Sequence, residues 1–312
     1  VVIGVSGGPD SVCLVYALKQ LSNLWRLNLN IAHLNHGLRG RDYEEDLDFT
    51  RRLANRIGLP FWFEEIDVKA EIKKMGLSEE EGARILRYEF FLRVSRKIGA
   101  KKIALGHTKD DQSETVLMRL VKGAGPLGLR GIPPLRSWQG VAIVRPLFDV
   151  WREEILEYLK EKNIDYRLDS TNASPVYLRN RIRNELIPYL VREFNPNIKE
   201  ILANTAENLG VSYEYLHKQG IKKFNSSALK SDTEVVLNLE KIKGYPSAIQ
   251  REIFRNAVKE LKGDLRRIRY QHWKEFESLM EIRPTGSVID LPGDIFAEKR
   301  RKEIIFKPKK LH

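Results

Sequence analysis

The chain of 312 residues is poor in the features that would send it across a membrane or out of a cell. It has a single cysteine, Cys13, so an intrachain disulfide is impossible and a zinc or iron–sulfur site built on thiolates has no ligand set. No apolar run approaches the roughly 18 residues of a membrane span. The opening residues, VVIGVSGG, lack a basic n-region and a cleavage pattern, so they read as a core strand and not as a signal peptide. A reducing cytoplasm fits these absences. No internal repeat and no low-complexity tract is present either, which excludes solenoids and disordered tails as the main architecture.

What is abundant is positive charge. The formal net charge is +12, a value that points to an extended polyanionic partner more readily than to a small neutral substrate. From Lys218 to His312 there are 22 Lys and Arg against 13 Asp and Glu, so the last third carries most of the excess. A lysine-rich surface serving solubility alone is the competing explanation, and composition does not separate the two.

The first half alternates short apolar runs with amphipathic stretches, the pattern of a parallel sheet with helices on both faces. Strands are expected at Val1–Val5, Leu29–Leu34, Phe61–Ile66, Ile103–Gly106 and Val141–Arg145, with helices over Asp10–Leu21, Asp42–Ile57, Ser78–Ile98 and Asp111–Lys122. The Gly/Pro-rich passage Gly123–Arg136 reads as a mobile loop without regular structure. Beyond Arg152 the pattern is helical to Leu216, broken at Pro175, Pro188 and Pro196, with the main boundary near Tyr215–Gly220. Two helices and two strands, Ser287–Leu291 and Lys302–Phe306, then make a small basic α+β domain. The resulting division is 1–190 for catalysis, 191–217 for a helical linker and 218–312 for a basic nucleic-acid-binding domain.

Chemistry concentrates in four motifs. Ser6-Gly7-Gly8-Pro9-Asp10-Ser11 lies between a strand and a helix, where glycines permit a tight turn and free N–H groups of the helix start face an anion. It is neither a Walker A sequence nor a GxGxxG fingerprint. Ser6 and Ser11 add hydroxyl donors, and Asp10 is a candidate ligand for Mg2+; a plain capped βα turn is the competing explanation. His33-Leu34-Asn35-His36-Gly37-Leu38-Arg39 ends the second strand, and its two histidines lack a third metal ligand nearby. On the third helix Arg84, Arg87 and Tyr88 can share one face and grip phosphates, or form an ordinary solvated basic face. Gly106-His107-Thr108-Lys109-Asp110-Asp111-Gln112-Ser113-Glu114-Thr115 follows a strand and opens a helix. Asp111 and Glu114, one turn apart, can receive a metal ion or an ammonium and accept a proton.

The loop matches the SGGxDS signature of the PP-loop ATP pyrophosphatases, and the other three motifs resemble HxNHGLR, AARxxRY and GHxxDDQxET of that family's tRNA-modifying branch. Asp169-Ser170-Thr171-Asn172 followed by Arg179-Asn180-Arg181-Ile182-Arg183, with Arg145-Pro146-Leu147 before them, resembles the segment of tRNA(Ile)-lysidine synthetases. The resemblance covers about the first two thirds of the chain. It implies an adenine nucleotide alpha-hydrolase-like fold and cleavage of ATP between the α and β phosphates with Mg2+. It also implies ligation of free L-lysine to the C2 position of the wobble cytidine of an isoleucine tRNA with a CAU anticodon. In that scheme Ser6, Gly7, Gly8, Pro9, Asp10, Ser11, His33 and Arg84 bind ATP. Asp10, Asp111 and Glu114 are catalytic, and Arg87, Arg179, Arg181 and Arg183 bind tRNA. A tRNA thiolase of the same class would need more thiols than Cys13 supplies, and a nucleotide-switched RNA-binding protein without activity would have no use for the three carboxylates.

Overall fold

A computed structural model of the chain describes residues 1–35, 42–67, 71–72, 79–168 and 177–309. The chain divides into two compact units, Val1–Gly210 and Val211–His312. No helix among the described residues is long and apolar enough to cross a membrane.

The first unit is built on a six-stranded sheet in the order β3-β2-β1-β4-β6-β5. Its strands are β1 (Val2–Gly4), β2 (Asn30–Asn35), β3 (Phe61–Glu65), β4 (Lys102–Leu105), β5 (Leu135–Trp138) and β6 (Val141–Val144). All pairings are parallel except that of β5 with β6. Successive residues of a strand point to opposite faces, and the two cores divide accordingly. Ile3, Ile31 and Ala104 pack under α1 (Pro9–Leu21) and α2 (Asp42–Ile57), while Val2, Ala32 and Ile103 pack against α3 (Glu79–Lys97). Helices therefore cover both faces, as the sequence pattern requires. Gly4 permits the closest approach, since a Cβ there would sit 2.6 Å from the Phe91 ring.

Two features depart from expectation. The passage Gly123–Arg136 is structured: it contains the short α5 (Pro126–Leu129) and runs into β5. Side chains of α4 (Lys109–Val121) pin it, with Arg119 donating to the carbonyls of Gly128 and Gly131 at 2.6 Å. Gln112 receives the Ile132 N–H at 2.6 Å and donates to Arg130 O at 3.3 Å. The second departure is at Pro188, where the sequence reading expects a break. Instead α7 (Leu178–Arg181) widens into a π-helical turn, Ile182–Leu186, in which Ile187 N–H bonds back to Ile182 O, and α8 (Ile187–Glu193) continues. Proline has no N–H and its ring collides with the carbonyl four residues back; the wider turn relieves that collision without ending the helix. Pro175 lies outside the described residues.

α6 (Arg152–Glu161) completes the first unit, and α9 (Ile198–Ser227) runs unbroken through Tyr215–Gly220. The second unit holds an antiparallel sheet, β7-β8-β11-β10-β9, comprising β7 (Ala228–Lys230), β8 (Val235–Asn238), β9 (Val288–Leu291), β10 (Ile295–Lys299) and β11 (Glu303–Pro308). With it go α10 (Leu239–Lys243), α11 (Ser247–Lys262) and α12 (Tyr270–Glu281). Phe254, Trp273, Phe276 and Phe306 fill a single core between the sheet and its helices.

Candidate functional site

In a parallel sheet, ligands bind beyond the carboxyl ends of the strands where the chain's direction of winding reverses. Here β1 is flanked by β2 on one side and β4 on the other, so the reversal lies between β1 and β4. The loops leaving those two strands carry Ser6–Ser11 and Gly106–Glu114. They nearly touch. A Cβ on Gly106 would stand 2.9 Å from Asp10 O and 3.2 Å from Ser11 N, so glycine is the residue that allows the two motifs to share one crevice.

The first loop is held by its own hydroxyls. Gly7 adopts φ +91°, a conformation suited to glycine, and Gly8 is the N-cap of α1 with Pro9 at the first helical position. Ser11 Oγ donates to Gly8 O at 2.9 Å, accepts from Ser6 N–H at 3.2 Å and lies 3.3 Å from Ser6 Oγ. Beneath the loop, buried His33 donates from Nδ1 to Val5 O at 2.9 Å, which fixes the proton on that nitrogen. Burial holds the ring below its ordinary pKa, and the Val5 carbonyl opposes only part of that shift. His33 thus supports the strand that launches the loop. His36 to Arg39 and Asp169 to Asn172 lie outside the described residues.

Asp10 divides its carboxylate. Oδ2 faces Arg152 Nη1 at 3.5 Å, while Oδ1 is buried without a hydrogen-bond partner among the described residues. Burial pushes its pKa up to about 6; Arg152 opposes the shift and Asp111 adds to it. No three His, Cys, Asp or Glu side chains among the described residues converge as a ready metal cluster. A hard cation that takes one carboxylate oxygen and completes its shell with phosphate and water nevertheless fits an orphaned Oδ1.

The adjacent carboxylates of the second motif have separate tasks. Asp110 accepts the Arg152 backbone N–H at 2.8 Å and pairs with Lys199 at 2.7 Å, tying α6 and α9 to the start of α4. Lys109 pairs with Glu200 at 2.8 Å, and its ammonium and that of Lys199 lie 4.8 and 4.9 Å from the Trp151 ring centre. Asp111 forms a capping box with Thr108, each side chain bonding the other's backbone N–H, and its free oxygen turns toward the crevice. There the structure joins two motifs more than sixty residues apart in sequence. Arg179 donates to Asp111 at 2.7 Å and to Glu114 at 2.9 Å, and Arg183 donates to both oxygens of Glu114, at 2.5 and 3.0 Å. Val116 and Leu117 pack with Ile182 and Ile187 directly below, which sets the distance between the helices.

The electrostatics follow. Burial alone would raise Asp111, but Arg179, His107 and the Thr108 N–H outweigh it and hold the carboxyl below its ordinary value. Burial opposes charge on Arg179 and Arg183 too, and the carboxylates more than compensate, so both guanidiniums stay charged. Arg181, by contrast, is exposed and pairs loosely with Glu185 at 3.7 Å.

Arg84 and Arg87 lie on the exposed side of α3. Desolvation is the first cause that disfavours charge on Arg87 and Arg119; Arg84 and Arg179 add to it at both, and Arg130 at Arg119. A basic rim therefore surrounds the acidic pair. Within it Arg145, 6% exposed, donates to His107 Nδ1 at 3.3 Å, to Tyr88 Oη at 3.5 Å and to the Pro133 carbonyl. One guanidinium thus links α3, the Gly123–Arg136 passage and the second motif. Burial, with Arg145 and Arg179 acting against Asp111, depresses His107 to about 4, so it is a neutral ring near pH 7.

Sequence reasoning passed over Arg152 and Arg167. Arg167 N–H donates to Gly7 O at 2.9 Å and its guanidinium pairs with Asp46 and Glu45 of α2, which roofs the loop. Neither sits in a recognisable motif, and each is defined by a partner more than a hundred residues away.

Comparison with known proteins agrees with this geometry. The PP-loop domain family profile matches residues 1–190. The chain is 37% identical over 306 residues to a tRNA(Ile)-lysidine synthase of Clostridioides difficile, covering 98% of this chain and 66% of that protein. A tRNA(Ile)-lysidine synthase of Solibacter usitatus is 40% identical over 286 residues, covering 92% of this chain and 62% of that protein. The chain thus spans slightly less than two thirds of the length of these curated relatives. Among solved structures, the U34-tRNA thiolase NcsA from Methanococcus maripaludis superposes with a TM-score of 0.55 at 21% identity, over 67% of this chain and 70% of that one. That likeness concerns the fold alone. With the loop at the sheet's reversal point and the profile spanning the whole parallel half, the chain belongs to the PP-loop domain family.

Proposed function

We propose that this chain binds ATP and ligates free L-lysine to C2 of the wobble cytidine in the CAU anticodon of an isoleucine tRNA. The observation that carries the reading is the acidic pair Asp111 and Glu114, which stands beside the loop and already holds two organic cations, Arg179 and Arg183. A site whose carboxylates accept from guanidiniums has the charge and acceptor geometry to receive an ammonium. The relatives named tRNA(Ile)-lysidine synthase, similar along 92% and 98% of this chain, support the same conclusion.

In this scheme the carbonyl oxygen of the cytosine attacks the α-phosphorus of ATP and pyrophosphate leaves. A lysine amine then attacks C2, AMP leaves, and one proton departs from the amine. The loop N–H groups and the hydroxyls of Ser6 and Ser11 bind the departing phosphates. Asp10 would hold Mg2+ through Oδ1, supplying positive charge against the leaving group. Asp111 and Glu114 are the candidates to hold the lysine ammonium and to take its proton, and Asp111, kept below its ordinary pKa, suits the first task. Arg84 serves the nucleotide, and Arg87, Arg179, Arg181 and Arg183 the anticodon loop, whose splayed bases stack on and hydrogen-bond to guanidiniums. Residues 1–190 carry the chemistry, 191–217 link, and the basic 218–312 contacts tRNA, all in the cytoplasm. Sulfur transfer finds no support: Cys13 is buried and its thiol is pushed up to about 11 by burial and by Asp10.

The test is single-turnover incorporation of labelled lysine into unmodified isoleucine tRNA with ATP and Mg2+, run beside methionine tRNA and a no-lysine control that follows pyrophosphate. Lysine in the isoleucine tRNA alone is the expected result. Pyrophosphate without lysine incorporation would leave the nucleotide chemistry standing and discard lysine as the nucleophile; neither product would discard the enzyme.

A further inference from the structure

Among the described residues, three guanidiniums come near the first loop, and two of them are already engaged. Arg183 is taken by Glu114 at 2.5 and 3.0 Å, and Arg167 by Asp46 and Glu45. Arg152 differs. Its Nη1 stands 3.5 Å from Asp10 Oδ2, and its Nε and Nη2 have no partner among the described residues. Its side chain is 29% exposed, enough to meet a ligand from solvent. Two backbone N–H groups at the entry to α6 are already taken, that of Arg152 by Asp110 at 2.8 Å and that of Trp151 by Glu154 at 2.7 Å. The guanidinium is the charged donor left there.

We propose that Arg152 binds the β- and γ-phosphate oxygens of the nucleotide, while its Nη1 keeps Asp10 Oδ2 engaged so that Oδ1 stays turned into the crevice. The assignment rests on the reading that this loop binds a nucleoside triphosphate. A guanidinium suits both tasks at once, since its fork presents several N–H donors in one plane and stays charged at any working pH. The anchor is independent of the side chain: the Asp110 contact is made by the backbone of residue 152 and survives a substitution there.

The experiment is titration calorimetry of the full chain with Mg2+–pyrophosphate, ATP and adenosine, comparing the parent with Arg152→Gln, Arg152→Lys and Asp110→Asn. A lost hydrogen bond to a charged partner corresponds to roughly a ten- to hundredfold change in affinity. Pyrophosphate binding is therefore expected to weaken by about that factor in Arg152→Gln, to recover in part in Arg152→Lys, and to leave adenosine binding as it was. Asp110→Asn loosens the start of α6 but keeps the cation, and should stay close to the parent for pyrophosphate. Parental pyrophosphate affinity in Arg152→Gln overturns the proposal, and so does an equal loss for adenosine, which marks a structural effect. If Arg152→Gln does not fold, Arg152→Lys decides: several-fold weaker pyrophosphate binding with adenosine unchanged supports the proposal, and parental affinity overturns it. A parent chain that binds neither ATP nor pyrophosphate fails at the earlier step, and both readings fall together.

Discussion

The two units place their polar side chains differently. In the second, one core of aromatic and aliphatic groups holds the sheet to its helices, and Ser227, Gln250 and Glu252 are the buried polar residues among those described. Glu252 is well supplied there, accepting from the Tyr213 hydroxyl at 3.1 Å and pairing with His217 at 2.8 Å. The first unit buries many more polar groups among its described residues, and half of them gather at one end of its sheet: Ser11, His33, Thr108, Gln112, Glu114 and Arg145. The second unit is assembled to be stable. The first gives up stability at the crevice to keep charges poised there, and the contrast can be measured.

The largest expected effect is in the second unit. Phe276 is fully buried against Phe254, Trp273 and Phe306, and Phe276→Ala should cost about 3–5 kcal/mol. Calorimetric unfolding should show a lowered transition while pyrophosphate binding at the loop persists; loss of both would mean the units are not separate in stability. Next is Glu114→Ala, which takes from Arg183 its close partner and leaves Arg179 with Asp111 alone, beside a cavity. An unpaired buried charge costs about 3–5 kcal/mol, and because both arginines are about a quarter exposed the expected loss is nearer 2–3 kcal/mol in denaturant titration. Lysine incorporation should vanish in the same variant.

Asp10 should show the opposite sign. Its folded-state pKa is raised to about 6 from 3.8, chiefly by burial, so folding favours the protonated carboxyl. The stability it contributes is complete below about pH 4 and is lost as pH rises through about 6. In metal-free protein Asp10→Asn is therefore expected to gain roughly 1–3 kcal/mol at pH 7 and little at pH 4, while pyrophosphate release is abolished. Equal stability of the two proteins at pH 7 would show that the crevice carries no such cost. The smallest effect is that of Thr108→Ala, which removes one half of a capping box for about 1 kcal/mol, read as a shift in the unfolding midpoint.

The parallel half of the fold was legible because β1, β2 and β4 are short apolar runs buried on both faces, and because the helices repeat their apolar residues at helical spacing. β5 was not: three of its four residues are exposed, so no hydrophobic pattern marks an edge strand held by a single neighbour. β7, three residues long, leaves too brief a signal. The Gly123–Arg136 passage was misread for another reason, since what orders it is Gln112 and Arg119 reaching over from a preceding helix. At the site, Asp10, Asp111, Glu114, Arg179 and Arg183 were each recognisable from local motifs. That the last four meet one another was not, because charge pairing across more than sixty residues has no local trace. Arg152 and Arg167 show the same blindness in full: ordinary residues in the sequence, they are made functional candidates by the loop they face.

The wide turn at Ile182–Leu186 gives the arginine segment an unexpected governor. A regular helix advances about 100° per residue, so the extra slack in that turn decides how Arg179 and Arg183 are phased relative to everything that follows them. The slack exists because Pro188 follows it. Substituting Pro188 by alanine would remove the need for the turn and let the helix tighten. The two guanidiniums and the downstream helix would then compete for a single phase, so a ring that donates no hydrogen bond acts as the timing mark for the contact of Arg179 and Arg183 with Asp111 and Glu114.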